Sequence, residues 1–247
     1  MRRITDHAVV IGGSMAGLVT ARVLAEVYDR VTVIDRDELP TAPQHRRGAA
    51  QSRHAHGLLS SGLLALEELF PGLTADLASA GAPSGDVAGQ GRWYVNGHLL
   101  ARTQTGMTGI GVSRPLLEAQ VRARVRALPN VTIRDRCDVL DPLVAEGGHR
   151  VTGVRLLGRA GGSAAEALAA DLVVDASGRG SRTPSWLDAL GYPRPPEERI
   201  RIRLRYASRH YRLTTGDLGG DAVVMVGPTL PCPRGGILIT QEAVARS

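Results

Sequence analysis

The chain has 247 residues, of which 43% are hydrophobic, 22% charged and only 3% aromatic. This balance excludes a disordered chain and a small disulfide-stapled module, and it suffices for one large domain or two small ones with a core of Val, Leu, Ile and Ala. The net charge is +6, yet all 30 basic residues are arginine, and no aromatic platform accompanies their local groups, which argues against nucleic-acid binding.

The first elements are the most informative. Ala8-Val9-Val10-Ile11 is a short apolar run suited to a strand buried on both faces. Gly12-Gly13-Ser14-Met15-Ala16-Gly17 forms a turn, and Leu18, Val19, Ala21, Val23, Leu24 and Val27 then recur at helical spacing. Val31-Thr32-Val33-Ile34 is a second strand that ends on Asp35. Each part of this unit has a physical task in dinucleotide binding. Gly12 allows the tight exit, small residues at 13, 14 and 16 let the backbone approach a diphosphate, and Gly17 lets the helix pack close to the sheet. The helix start offers free N–H groups and a positive dipole end, and Asp35 accepts the hydroxyls of an adenosine ribose. Ser14 replaces the usual middle glycine; it is small, and its hydroxyl can bond a phosphate oxygen.

After Arg36 a polar loop carries Arg47, Arg53, His54 and His56, an unusual density of donors. His-x-His without a third ligand does not make a metal site. Residues 58–70 read as an amphipathic helix stopped by Pro71-Gly72, and 73–90 as weakly structured. Gly91 to Arg102 reads as a hairpin about Asn96-Gly97, and 103–112 as a loop. Ser113-Arg114-Pro115 opens a helix, with Ser113 as cap and Pro115 in its first turn. The alternate arginines 122, 124 and 126 on this helix read as solvated.

Val131-Thr132-Ile133 is a further strand. Residues 139–145, 151–157 and 169–174 read as a three-stranded meander joined by Gly147-Gly148 and Gly161-Gly162. The last strand enters a second glycine turn, Asp175-Ala176-Ser177-Gly178-Arg179-Gly180-Ser181-Arg182. Pro193 to Pro196 marks a boundary. Beyond it, 200–213 alternates like a strand with Arg201, Arg203 and Arg205 outward, and 221–226 and 235–239 read as strands of the same sheet.

Two cysteines, Cys137 and Cys232, give neither a disulfide framework nor metal-ligand spacing, which fits a cytoplasmic protein. No apolar stretch reaches the ~20 residues that span a bilayer. Asp6, His7 and the early glycines break any signal-peptide pattern.

As a set, GGSMAG with Asp35-Arg36, Ser113-Arg114 at a helix start and the run 175–182 resemble the flavin-dependent monooxygenases of the aromatic-hydroxylase and squalene-epoxidase type. QSRHAHGLL and LRYASRHYR resemble the bacterial branch that epoxidises polyenes and polyketides. The resemblance implies an α/β fold: a Rossmann-like FAD-binding domain over 1–72 and 113–192, with a central parallel sheet and a β-meander. It further implies part of a mixed substrate-domain sheet over 73–112 and 193–247.

By the same resemblance, Gly12, Gly13, Ser14, Met15, Ala16 and Gly17 hold the FAD diphosphate, and Asp35 and Arg36 lie at the ribose. Arg47, Arg53 and Arg114 reach the diphosphate or flavin side, Val139 lies against adenine, and Asp175 and Gly178 belong to a second fingerprint. The alternative for Arg53 and Arg114 is an ordinary loop or helix-start arginine; for Val139 it is core packing. The implied reaction takes electrons from NAD(P)H through FAD and transfers one atom of dioxygen to a C=C or aromatic ring of a hydrophobic small molecule. No protein nucleophile is needed and no catalytic residue is assigned; His54 and His56 are candidate proton donors.

The family's third fingerprint, Gly-Asp before a Pro-containing helix start, is not found. Gly220-Asp221-Ala222 has the letters but leads into a strand. The resemblance therefore covers the family's N-terminal half, as a fragment, a truncated product or half of a split enzyme would, the last with a partner chain supplying the second half. The alternatives are a truncated non-catalytic nucleotide-binding protein and a flavin-linked isoprenoid reductase. A flavin halogenase is disfavoured because Trp93 and Trp186 lie far apart and form no paired motif.

Overall fold

The computed structural model describes residues 5–160, 164–214 and 216–243. Strands in chain order are β1 (Thr5–Ile11), β2 (Tyr28–Ile34), β3 (Ser84–Asp86), β4 (Gly91–Val95), β5 (His98–Leu99), β6 (Thr108–Ile110) and β7 (Val131–Arg134). They continue with β8 (Cys137–Val144), β9 (Val151–Gly158), β10 (Ala165–Ala169), β11 (Leu172–Asp175), β12 (Val223–Val226) and β13 (Gly236–Ile239). The helices are α1 (Met15–Leu24), α2 (Ser60–Leu69), α3 (Leu73–Ser79), α4 (Arg114–Arg126) and α5 (Thr183–Ala189). The chain forms two compact units. The first contains the described residues up to Ala42, Arg46–Ala49 and Val121–Leu204; the second contains Pro43–His45, Ala50–Gln120 and the described residues from Arg205 onward.

The first unit is built on a parallel sheet of order β11-β1-β2-β7. The run Ala8–Ile11 is apolar throughout because both its faces are covered. Val9 and Ile11 point into a cluster with Ile34 of β2, with Val154 and Leu156 of the antiparallel meander β10-β9-β8, and with Ala170 just after it. Val10, on the opposite face, lies under Gly17 of α1, beside the buried Leu18 and Ala21. The unit is thus a helix, a parallel sheet and a meander in layers, with the core on both sides of β1.

His7, fully enclosed, locks this arrangement. Its Nδ1 bonds the Ala169 carbonyl at 2.7 Å, and its Nε2 bonds the Thr32 hydroxyl at 2.9 Å. Its backbone N–H donates to Asp171. Those contacts fall at the point where the chain leaves the meander. The run expected as one strand over 169–174 is therefore two: β10 ends the meander at Ala169, and β11 starts at Leu172 beside β1. Apart from Asp171 the run 169–174 is apolar, and the switch of partner comes at Asp171, through its bond to His7 across the fold. Gly161 and Gly162, expected in the connecting loop, lie outside the described residues.

Arg122 and Arg126 also depart from expectation. Instead of facing solvent, Arg122 is buried and donates to the Pro40 carbonyl at 2.9 Å, and Arg126 donates to the Leu39 carbonyl at 2.7 Å. A guanidinium supplies several donors, so two arginines can satisfy the carbonyls of a loop that has no strand partner.

In the second unit, β13-β12-β4-β5 form one sheet and β3 pairs with β6. The Asn96-Gly97 turn joins β4 to β5 as expected. Residues 73–90 are more ordered than their Gly/Ala content suggested. Leu73 and Leu77, four apart, bury one face of α3 completely, and β3 follows and pairs with β6 inside the expected 103–112 loop. The opposite error falls on 200–213. Its alternation predicted a strand, yet no strand forms there among the described residues, and Ile200, Ile202, Tyr206 and Tyr211 are exposed. Alternation makes two faces; it does not supply the neighbouring strand whose backbone must complete the ladder.

Candidate functional site

In a parallel sheet the carboxyl ends of neighbouring strands open onto one crevice. Ile11 of β1 stands in register with Ile34 of β2 on one side and with Asp175 of β11 on the other. Consequently the turn Gly12–Gly17 emerges between Asp35 and the loop after Asp175. Gly12 has a φ of 105°, which a side chain resists, and a Cβ on it would lie 2.6 Å from the Ala176 carbonyl oxygen. Gly17 is buried, and a Cβ there would collide with the Gly12 carbonyl. Glycine is thus required at both positions by packing, and the result is a bare backbone turn running into a ten-residue helix. The first-turn amides of such a helix have no intrahelical acceptor and favour an anion.

Asp35 is buried at the tip of β2 and held from four directions. Its N–H donates to the Arg134 carbonyl of β7, and its carbonyl accepts from the Cys137 N–H at the start of β8, both at 3.0 Å. Its Oδ2 accepts the Gly13 N–H at 2.6 Å, and its Oδ1 the Asp37 N–H at 2.8 Å. The carboxylate is therefore tied to the glycine turn itself, with one lone pair on each oxygen still available to hydroxyl donors. Val139, on β8, packs against the cluster of Val9, Ile11 and Ile34 close to this end of the sheet. Arg36 and Arg47 are exposed. Arg46, which the sequence did not single out from its neighbour, is the buried cation here: its Nη1 lies 3.8 Å from Asp35 Oδ2 and 3.5 Å from Asp37 Oδ2. The cue was the donor-rich stretch Gln44 to Arg47, in which nothing local distinguishes Arg46 from Arg47.

The second glycine turn is built differently. Asp175 accepts four hydrogen bonds from its own loop: the Ser177 N–H and hydroxyl on Oδ1, and the Ser181 and Thr183 hydroxyls on Oδ2. Burial opposes the charged carboxylate, but these hydroxyl donors outweigh it and hold its pKa below the usual range. With its lone pairs engaged, Asp175 fixes the course of 176–183 and carries Gly178, at a φ of 66°, on an exposed rim.

Arg53 and Arg114 belong to the second unit. Arg53 is exposed, and Arg114 is half-buried and pairs with Glu118 at 3.3 Å. Ser113 caps α4 as expected, its Oγ accepting the Leu116 N–H at 3.2 Å. His54 Nδ1 bonds the Ser208 hydroxyl, and His56 Nδ1 bonds the Val112 carbonyl, both at 3.0 Å. Burial lowers the pKa of His56 despite its bond to Val112. Asp221 is buried and accepts from Arg92 at 2.8 Å and Arg102 at 3.0 Å. It serves the unit's own sheet, leading into β12. No helix among the described residues is long and apolar enough to cross a membrane.

No family model matches the chain. Protein Rv3254 of Mycobacterium tuberculosis is 43% identical over 232 residues, covering 90% of this chain and 48% of that protein. The chain thus spans about half the length of the curated relative it matches. Among solved structures, the myxobacterial chondrochloren halogenase CndH, a variant of FAD-dependent halogenases, is 26% identical with a TM-score of 0.55 over 72% of this chain and 38% of its own. The p-nitrophenol 4-monooxygenase PnpA from Pseudomonas putida DLL-E4 is 22% identical with a TM-score of 0.55 over 76% of this chain and 44% of its own. The α/β fold with its parallel sheet is shared with these FAD-dependent halogenases and monooxygenases.

Proposed function

We propose that the first unit binds FAD and that the protein acts as an NAD(P)H-dependent monooxygenase on a hydrophobic small molecule, at a C=C bond or an aromatic ring. The observation that carries this reading is the meeting of a bare glycine turn, a helix start and a buried, oriented carboxylate at adjacent strand ends. The residues fit the group: Gly12 and Gly17 allow the tight turn and close helix packing that bring the start of α1 to the strand ends, and Asp35 keeps acceptor capacity toward a ribose. The first-turn amides of α1 and the Ser14 hydroxyl would take the diphosphate. Val139 would flank the adenine, and Arg36 and Arg47 would supply positive charge toward the phosphates. The loop fixed by Asp175 would form the opposing wall, presenting Gly178.

When bound, FAD would supply the redox chemistry that links NAD(P)H to dioxygen. The chain's own part is to bind, orient and keep water away. The test begins with the 247-residue chain reconstituted with FAD. It should be yellow, bleach with NAD(P)H without oxygen, and place oxygen-18 from labelled dioxygen in product. A protein that stays colourless overturns the reading. One that is yellow but inert toward NAD(P)H supports a non-catalytic flavin-binding role instead.

Halogenation is the second reading, favoured by the 26% identity to CndH. Chloride-dependent product in place of oxygen-18 incorporation would select it.

A further inference from the structure

The corner beyond β2 holds two carboxylates and one guanidinium, all largely shielded from water. Side-chain exposure is 7% for Arg46, 10% for Asp35 and 17% for Asp37. The segment that brings Arg46 there is pinned in place. Gly48 donates its N–H to Asp37 Oδ2 at 2.7 Å, and the Ala49 N–H closes a turn on the Arg46 carbonyl at 3.2 Å. A relay results: Gly48 fixes Asp37, the Asp37 N–H fixes Asp35 Oδ1, and the Gly13 N–H fixes Asp35 Oδ2. Arg46 lies against the Oδ2 atoms of both acids. Two neighbouring carboxylates out of solvent repel one another, and each turns toward whatever counter-charge it finds. A cation between them removes that conflict.

We infer that Arg46 is a positioning residue for nucleotide recognition: it neutralises the Asp35/Asp37 pair and holds the Asp35 carboxylate toward a ribose with free 2′- and 3′-hydroxyls. The inference rests on the reading of this site as an adenine-dinucleotide site. It adds a residue and a selectivity. Arg46 acts through Asp35, and the ligand half it governs is an unphosphorylated adenosine ribose.

The test uses ADP, AMP and 2′,3′-dideoxy-ADP as probes, titrated into the full chain by calorimetry. Wild type is expected to prefer ADP over dideoxy-ADP by about tenfold or more, the usual worth of hydroxyl bonds to a charged acceptor. In Arg46→Gln this preference should fall below about twofold, while the preference for ADP over AMP, which reports the glycine turn, stays as in wild type. Arg46→Lys keeps the charge and should retain most of the ribose preference. It also decides the matter if the Gln variant fails to fold, because a folded Lys variant without that preference contradicts the account. Undiminished ribose preference in Arg46→Gln overturns the inference. Wild type that prefers ADP over AMP but ignores the ribose hydroxyls overturns it while sparing the dinucleotide reading. Wild type indifferent to the diphosphate overturns both.

Discussion

The two glycine turns of the first unit look alike in sequence and differ in construction. Both follow a strand of the parallel sheet and both sit beside an aspartate. In the first, the acid comes from the neighbouring strand, and glycine is enforced by backbone packed within van der Waals distance: Ala176 against Gly12, and Gly12 itself against Gly17. In the second, the acid belongs to the strand that precedes the loop and is consumed by the loop's hydroxyls, while Gly178 and Gly180 have nothing within 4 Å of a would-be Cβ. The first turn is a backbone surface tied to a buried carboxylate. The second is a rim whose shape is set by side-chain bonds. A glycine motif therefore acquires meaning from what surrounds each glycine.

The contrast can be broken in graded steps. Gly17→Val should have the largest effect, because its side chain meets the Gly12 carbonyl and the Val10 side chain. Overpacking of this kind costs about 3 kcal/mol or more, and thermal unfolding should show it. Gly12→Ala should follow at about 2 kcal/mol, combining an unfavourable φ with a close carbonyl. Asp175→Asn should cost about 1 kcal/mol by weakening bonds from Ser181 and Thr183. It should also change the pH dependence. The folded carboxyl has a lowered pKa, so its stabilisation is complete above the unfolded value of about 4 and is lost as pH falls through the folded one. Denaturant midpoints of wild type should drop below that pH, and the Asn variant should drop less. Gly180→Ala should change stability by less than about 0.5 kcal/mol. An equal cost at Gly180 and Gly17 would erase the distinction drawn between the turns.

Much of the first unit was legible because its signals are local. The βαβ opening and the strand ends at Asp35 and Asp175 follow from apolar runs, small residues and acids in fixed order. The failures came where partners are remote. Within 165–175 the cue to the change of sheet is Asp171, and its partner His7 lies across the fold. Nothing within 44–47 says which arginine turns inward, because Asp37 and Gly48 select Arg46. The alternation over 200–213 is a property of the segment, whereas a strand is a property of two segments, and Ile200 at 91% exposure has no second one among the described residues. Arg122 was misjudged for the same reason: the carbonyl it satisfies belongs to Pro40.

The central claim is that the opening turn with Asp35 recognises the adenosine diphosphate portion of a flavin dinucleotide. Comparative titration of the full chain with FAD and with FMN, which lacks the adenosine, addresses it most directly. The account predicts at least a hundredfold tighter binding of FAD, given about 1.4 kcal/mol per factor of ten and several bonds at stake. Equal affinity for the two, or a preference for FMN, would contradict it.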